Sequence, residues 1–88
     1  MGYAVIFQRA AQKALAGLPS PVRENIALAI SRLSSNPRMP GVKRLTNSPY
    51  HRARVGSYRI IYEIKDAELI VLVIRIADRK EVYRSGQP

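Results

Sequence analysis

The periodicity of the apolar residues changes near the middle of the chain, and this change limits the possible folds more than any other feature. In the first half, apolar residues recur every three or four positions, which places them on one face of an α-helix. In the second half they alternate with polar residues, which is the period of a half-buried strand. A helical segment followed by strands predicts an α+β fold with the helices packed on one face of the sheet.

The first half of the chain predicts one strand and two helices. Tyr3–Phe7 is a short aromatic and β-branched run, which is typical of a strand, and helix formers follow over Arg9–Ala16. A second helix is predicted to begin with Ser20 as its N-cap and Pro21 as its first helical residue. It should stop before Pro37, because proline disfavours helical geometry at the residue that precedes it.

The second half predicts an antiparallel meander of three to four strands. A basic loop is expected first, between residues 36 and 49. Strands are then predicted at Tyr50–Val55, Tyr58–Lys65 and Leu69–Ile76, with a short final strand around Glu81–Tyr83. Because Arg75 interrupts an otherwise apolar strand, we expect it to be paired or to lie near a strand end.

A two-residue turn at Gly56-Ser57 should fix the pairing of the first two of these strands, because glycine supplies the positive φ of a type II′ turn. The predicted facing pairs are Val55 with Tyr58, Arg54 with Arg59, Ala53 with Ile60, and Arg52 with Ile61. The three arginines then share the face opposite the core. Like charges directly across a ladder destabilise a sheet by up to ~1 kcal/mol, so this face predicts an anionic partner.

The net charge also favours an anionic partner. The chain has 15 Lys and Arg against 6 Asp and Glu, a formal charge of +9, which attracts nucleic acid or acidic protein. The interval from Glu24 to Glu63 has no acidic residue between its ends. It contains Arg32, Arg38, Lys43, Arg44, Arg52, Arg54 and Arg59. Of these, Arg38, Lys43 and Arg44 are predicted to make non-specific contacts with a polyanion backbone instead of taking part in chemistry.

Several protein classes are disfavoured by composition. The absence of cysteine excludes disulfides, thiolate metal sites and a Cys nucleophile. The one histidine, His51, cannot form a metal site alone and should lie on the core face, so we expect neither a metal nor a cofactor. The longest apolar run, Leu69–Ile74, is far shorter than the ~20 residues that span a bilayer. We expect a cytoplasmic protein with no membrane partner.

Two segments resemble a known family. Residues 50–64, YHRARVGSYRIIYEI, followed by residues 76–83, IADRKEVY, are similar to the motifs of RelE-type ribonuclease toxins of bacterial and archaeal toxin–antitoxin pairs. The preceding strand and helical hairpin match as well. The resemblance therefore covers nearly the whole chain and implies that residues 1–88 form a single RelE-like toxin domain with the RelE-like microbial ribonuclease-type fold.

The resemblance implies a metal-independent endoribonuclease that cleaves mRNA in the ribosomal decoding site, by attack of a 2′-hydroxyl on the adjacent phosphate. By motif position, Arg52 and Arg54 would contact the RNA and assist the hydroxyl, Arg59 and Arg79 would stabilise the phosphate, and Tyr83 would stack on a base or assist the leaving oxygen. The predicted catalytic residues are thus Arg54, Arg59, Arg79 and Tyr83, and the predicted RNA-binding residues are Arg38, Lys43, Arg44, Arg52 and Lys80.

The chain departs from the family pattern at positions that bear on proton transfer. The family often has lysine where Arg52 and Arg54 stand, and many relatives have histidine where Asp78 stands. Arginine is a poor proton carrier because its pKa lies above ~12. Arg54 would then act through its charge, with Lys80 as a minor candidate for the proton transfer, and the identity of the general base stays open.

Two other functions fit the same chain. A ParE-like toxin shares the fold and acts by binding DNA gyrase, and a basic RNA-binding domain would bind without cleavage. Arg59, Arg79 and Tyr83 together favour the nuclease. The expected partners are mRNA on the ribosome and an acidic RelB-like antitoxin, in a toxin–antitoxin hetero-oligomer. The antitoxin would either cover the face of Arg52, Arg54 and Arg59 or displace the C-terminal strand region.

Overall fold

The structure is a computed structural model, and residues 2–78 of it are described. Its elements are β1 (Ala4–Phe7), α1 (Arg9–Ala16), α2 (Ser20–Ser35), β2 (Lys43–Arg44), β3 (Tyr50–Val55), β4 (Tyr58–Lys65) and β5 (Ile70–Asp78), with a 3-10 turn at Asp66–Glu68. The predicted bounds of α1, β3 and β4 are confirmed. The final strand predicted around Glu81–Tyr83 lies outside the described residues.

The five strands of residues 2–78 form one mixed sheet in the order β1-β5-β4-β3-β2. The strands from β2 to β5 pair antiparallel, as the meander predicts, whereas β1 pairs parallel with β5. This parallel pairing was not predicted, because the helical hairpin separates the two strands and periodicity carries no information about partners so distant in the chain. The α+β fold class with two helices is confirmed.

The structure corrects several local predictions. Strand β1 begins at Ala4 instead of Tyr3, and β5 covers Ile70–Asp78 instead of Leu69–Ile76. The loop predicted between residues 36 and 49 contains the two-residue strand β2, which is too short to produce an alternating pattern. The second helix begins one residue earlier than predicted: Pro19 holds the N-cap position with φ −56° and ψ 148°, and Ser20 is helical. Proline suits this place because its ring fixes φ near this value and no backbone N–H is lost from the helix.

The core lies between the helices and one face of the sheet. Its buried residues are Ala11, Ile26, Ile30 and Leu33 from the helices and Ala53, Ile60, Tyr62, Val71, Val73 and Ile76 from the strands. Tyr62 is the largest fully buried side chain, and its hydroxyl donates a 2.7 Å hydrogen bond to the carbonyl oxygen of Pro37. This bond ties the segment after α2 to the centre of the sheet. Within the described residues, no helix is long and apolar enough to cross a bilayer.

Candidate nucleic-acid interface

The β3–β4 hairpin has the turn and the register that the sequence predicts. Gly56 has a φ of +59°, and Ser57 is not among the residues with positive φ, as a type II′ turn requires. Val55 pairs with Tyr58, Arg54 with Arg59, Ala53 with Ile60, and Arg52 with Ile61. The hairpin therefore places Arg54 and Arg59 opposite each other and Arg52 on the same face.

Neighbouring strands add two further cations to the face opposite the helices. Lys43 of β2 pairs with Arg52, and Arg75 of β5 pairs with Ile61, so both share that face. We call this surface the arginine face and define it by five residues: Lys43, Arg52, Arg54, Arg59 and Arg75. Lys43, Arg54 and Arg75 are exposed, and Arg52 and Arg59 are partly buried.

A β-bulge turns Arg75 toward the arginine face. Ile61 pairs with Arg75 but Tyr62 pairs with Val73, so Ile74 is an extra residue in β5. Val73 is fully buried on the core side. In a regular strand Arg75, two residues further on, would share that buried side, and the extra residue reverses the alternation. The bulge therefore places the only cation of this otherwise apolar segment, Arg75, on the exposed face of the sheet. No ion pair in the core is needed to neutralise it.

A cavity of about 460 Å³ opens on the arginine face. Its lining combines an apolar floor with three guanidinium groups, and consists of Leu45, Tyr50, Arg52, Arg59, Ile61, Ile74, Arg75 and Ala77. The Nε atoms of Arg52 and Arg59 are buried, so both side chains lie along the sheet surface. An apolar depression edged by cations can hold a nucleobase while the guanidinium groups reach its phosphate.

Two of the predicted RNA-binding residues do not lie on the arginine face. Arg44 pairs with His51, on the helix side of the sheet, and its Nε donates a 3.3 Å hydrogen bond to the carbonyl oxygen of Ser48. Arg38 forms a bidentate ion pair with Asp66, with distances of 3.1 and 2.7 Å. Since Asp66 follows the end of β4 and Arg59 lies near its start, the two positions are roughly 20 Å apart.

Asp66 is the centre of a small polar cluster that the sequence did not predict. Besides the ion pair with Arg38, its carboxylate accepts a 2.7 Å hydrogen bond from the hydroxyl of Tyr3. These two donors, Arg38 foremost, lower the pKa of Asp66 to about 2. The cluster joins the residue before β1, the segment after α2 and the β4–β5 turn. No sequence pattern could reveal it, because its members are 28 and 63 positions apart.

His51 has the core-side position that was expected of it. Its ring stacks on Tyr62, with the centroids 5.8 Å apart and an angle of 27° between the planes. Burial, together with the nearby charges of Arg38 and Arg44, lowers the pKa of His51. The stacking on Tyr62 and the core-side position favour a structural role for the imidazole. Within residues 2–78, no group of three or more side chains could hold a metal ion.

The remaining predicted residues, Arg79, Lys80 and Tyr83, lie outside the described residues, and their roles stay predictions. The geometry therefore brings together Arg52, Arg54 and Arg59 as predicted, adds Arg75 from the bulge, and places Lys43 beside Arg52.

Comparisons with known proteins identify the family. Residues 5–83 match the ParE toxin family of type II toxin–antitoxin systems, parDE. The chain belongs to the RelE/ParE superfamily of toxins. Toxin RelG of Mycobacterium tuberculosis is 31% identical to this toxin over 86 residues, which cover 96% of this chain and 99% of RelG.

Solved structures of RelE toxins have the same fold. The isolated Escherichia coli RelE toxin is 26% identical, with a TM-score of 0.79 over 96% of this chain and 94% of that chain. The toxin–antitoxin complex RelBE2 from M. tuberculosis matches with 29% identity and a TM-score of 0.76, over 90% of this chain and 100% of that chain. This chain is thus a type II toxin of the RelE/ParE superfamily.

Proposed function

We propose that this toxin is a ribosome-dependent endoribonuclease, which cleaves mRNA in the decoding site by attack of a 2′-hydroxyl on the adjacent phosphate. The observation that carries this proposal is the pairing of Arg54 with Arg59 across the hairpin, with Arg52 on the same face. Packing gives no reason to set two like charges opposite each other. A phosphodiester bound at this pair would interact favourably with both guanidinium groups.

The chemistry of RNA cleavage explains why arginines suit this face. The attacked phosphate gains negative charge in the transition state, and fixed positive charge stabilises it. Guanidinium groups bind phosphate oxygens through two parallel hydrogen bonds and stay charged at every physiological pH. Arg54 and Arg59 would hold the phosphate, and Arg52 would position the strand beside the cavity. One such donor commonly contributes about 3 to 4 kcal/mol to lowering the barrier.

Residues beyond the described part complete this proposal. Arg79 would share the phosphate with Arg59, Tyr83 would stack on a base or assist the leaving oxygen, and Lys80 would contact the RNA backbone. Because arginine does not carry protons at neutral pH, the three described arginines would contribute charge and alignment. The ribosome would supply the in-line geometry of the mRNA, which accounts for a site with so little proton-transfer chemistry of its own.

The positive charge of the arginine face also supports an antitoxin as partner. The RelE toxins of E. coli and M. tuberculosis are found in complexes with antitoxins. We propose that this toxin binds an acidic RelB-like antitoxin in the cytoplasm as a hetero-oligomer. A net charge of +9 favours such a partner, because opposite charges raise the association rate and the specificity of an interface.

The match to the ParE toxin family supports a second candidate. In that case the toxin would inhibit DNA gyrase by binding it, and the arginine face would contact protein instead of RNA. The similarity to RelG and to RelE structures, together with the opposed arginines, makes the nuclease the better supported candidate.

Primer extension on translated mRNA distinguishes the two candidates. Cells are induced to express wild-type toxin or the Arg59→Ala variant, and mRNA ends are mapped within coding regions. The nuclease predicts new ends with the wild type and their loss with the variant. Intact mRNA, together with inhibited supercoiling by purified gyrase, would support the ParE-like function instead.

A further inference from the structure

Arg75 is a cation of the arginine face that the proposed cleavage step leaves without a role. Its side chain is exposed, and its guanidinium group has no hydrogen bond or ion pair with any residue from 2 to 78. Among the strand residues of that range, Glu63 is the one carboxylate on this face, and it lies 3.8 Å from the Nζ atom of Lys65. No carboxylate within residues 2–78 therefore neutralises Arg75.

An irregularity of the sheet brings Arg75 to this face. Ile74 is the extra residue of a β-bulge in β5, and bulges occur preferentially at sheet edges and beside active sites, where they redirect a side chain. Because β5 lies inside the sheet, between β1 and β4, an edge does not explain this bulge. The bulge also turns Ile76 into the core, but packing there needs no cation at the preceding position. The arrangement is typical of a side chain that binds a ligand.

The position of Arg75 relative to the opposed arginines indicates a separate anion. Arg59 pairs with Ala77, and Arg75 precedes Ala77 by two positions, so it is the diagonal neighbour of Arg59 at about 7 to 8 Å. Arg54 lies on the strand beyond Arg59, roughly 12 Å from Arg75. A phosphate held between Arg54 and Arg59 therefore lies on the opposite side of β4 from Arg75.

The cavity of the arginine face connects the two positions. Arg59 and Arg75 both line it, and Ile61 and Ala77 form its floor between them. A nucleobase can lie on this apolar floor, and Tyr50 in the lining offers a ring on which a base can stack. A nucleotide within a strand has a phosphate on either side of its sugar. A base in the cavity therefore brings one phosphate toward Arg59 and the next toward Arg75.

We propose that Arg75 binds the RNA phosphate next to the scissile one, and that the nucleotide between these two phosphates lies in the cavity. This inference rests on the proposed function and deepens it, because it extends the site from one phosphate to two. The scissile phosphate lies between Arg54 and Arg59, and the guanidinium group of Arg75 binds the neighbouring phosphate through paired hydrogen bonds. The second contact fixes which phosphodiester of the strand meets the opposed arginines.

A contact with the neighbouring phosphate should affect binding and not the chemical step. The charge of that phosphate does not change during cleavage, so the contact stabilises the bound mRNA and the transition state equally. Its loss raises the toxin concentration that gives the half-maximal rate and leaves the maximal rate nearly unchanged. Arg54 and Arg59 act on the phosphate that gains charge, so their loss lowers the maximal rate.

The test measures cleavage of synthetic mRNAs on purified ribosomes, with full-length toxin in excess. One mRNA has charged linkages throughout, and two others carry a neutral methylphosphonate at the linkage before or after the scissile phosphate. In all three mRNAs the nucleotide that precedes each of these two linkages has a 2′-O-methyl group, which prevents attack on the neutral linkage. The nucleotide that attacks the scissile phosphate keeps its 2′-hydroxyl.

Arg75→Gln removes the charge and keeps a polar side chain. On the charged mRNA it should raise the half-maximal concentration about tenfold, as expected for one charge-assisted contact, with a maximal rate within about threefold of wild type. On one of the two neutral-linkage mRNAs, wild type and Arg75→Gln should differ by less than about twofold, because the anion that Arg75 binds is gone. Arg75→Lys should recover most of the loss, since lysine also binds phosphate.

Lys13→Gln is the matched control, because it makes the same change in net charge at an exposed residue of α1. It should raise the half-maximal concentration less than about threefold, and equally on all three mRNAs, because it acts only through screened long-range attraction. Urea denaturation of Arg75→Gln should show no loss of stability, since the substitution removes a like charge from the neighbourhood of Arg59.

Two results would overturn this inference and leave the nuclease intact: wild-type kinetics for Arg75→Gln on the charged mRNA, or a loss of the same size on all three mRNAs. A fall in maximal rate as large as that of Arg54→Ala would assign Arg75 to the scissile phosphate and would also overturn it. Wild-type toxin that leaves unmodified mRNA intact would overturn the proposed function itself, and this inference with it.

Discussion

Arg54 and Arg59 lie directly opposite each other across the β3–β4 hairpin, on the face of the sheet that the helices do not cover. Arg54 is exposed, and within residues 2–78 it has no carboxylate partner. A like-charge pair in this position lowers the stability of the free toxin. The arrangement therefore makes stability and function change in opposite directions when the pair is broken.

Replacement of Arg54 with threonine should stabilise the toxin and weaken its activity. Removing one of two opposed charges and introducing a strand-favouring residue should raise the free energy of unfolding by about 0.5 kcal/mol. Urea denaturation measures this change. The gain should shrink at high salt, where the repulsion in the wild type is screened. A variant less stable than wild type at low salt would show that the two arginines do not repel each other.

The type II′ turn requires glycine at position 56. Gly56 has a φ of +59°, and an added Cβ would meet nothing within 4 Å, so the cost of Gly56→Ala is backbone strain alone. We expect a loss of about 1 to 3 kcal/mol in the free energy of unfolding, because residues with a Cβ rarely adopt this backbone conformation.

Gly17→Ala is the matched control, since Gly17 has a φ of −84° and a Cβ there would make ordinary contacts at 3.6 and 3.8 Å. It should be neutral or stabilise by up to about 1 kcal/mol. Equal effects of the two substitutions would contradict the assigned turn.

The hydroxyl of Tyr62 should contribute to stability through its bond to Pro37. Tyr62→Phe leaves a buried carbonyl oxygen without its donor and should cost about 1 to 3 kcal/mol. Burial raises the pKa of Tyr62 to about 12 from 10.0.

The contribution of Tyr62 is therefore fully present below pH 10.0 and is lost as the pH rises toward 12. Denaturation at several pH values should show a smaller loss over this window in Tyr62→Phe than in wild type. Parallel pH curves would mean that the phenol is not buried.

Two hydrogen-bond donors should lower the pKa of Asp66, and Arg38 should contribute more than Tyr3. Arg38 and, after it, Tyr3 lower this pKa from 3.8 to about 2. Since the folded-state value is depressed, the contribution to stability is present above pH 3.8 and is lost as the pH falls toward 2. Carboxyl titration by NMR should give a larger upward shift for Arg38→Ala than for Tyr3→Phe. The reverse order would contradict the bidentate geometry.

The sequence predicts those features of the fold that depend on neighbouring residues. The bounds of α1, β3 and β4 and the register of the hairpin are confirmed, because they follow from local periodicity and from the turn at Gly56-Ser57. The parallel pairing of β1 and the strand β2 were not predicted, because one depends on distant partners and the other is too short for a pattern.

The candidate site was predicted in part for the same reason. Arg52, Arg54 and Arg59 were placed correctly by the hairpin register, whereas Arg75 reaches the same face only through the bulge at Ile74. A bulge leaves no mark in an apolar run. The partner of Arg38 lies 28 residues away in sequence, beyond the range of any periodicity.

The most direct test of the account measures cleavage by purified toxin on purified ribosomes that hold a defined mRNA. Three proteins are compared under single-turnover conditions: wild type, Arg54→Ala, and Lys13→Ala as a control with the same change in charge at an exposed residue of α1. The account predicts cleavage in the decoding site by wild type and Lys13→Ala, and a rate lower by about 100-fold or more for Arg54→Ala. Wild-type toxin that leaves the mRNA intact, or an Arg54→Ala variant that cleaves it at the wild-type rate, would contradict the claim that the opposed arginines bind the phosphate.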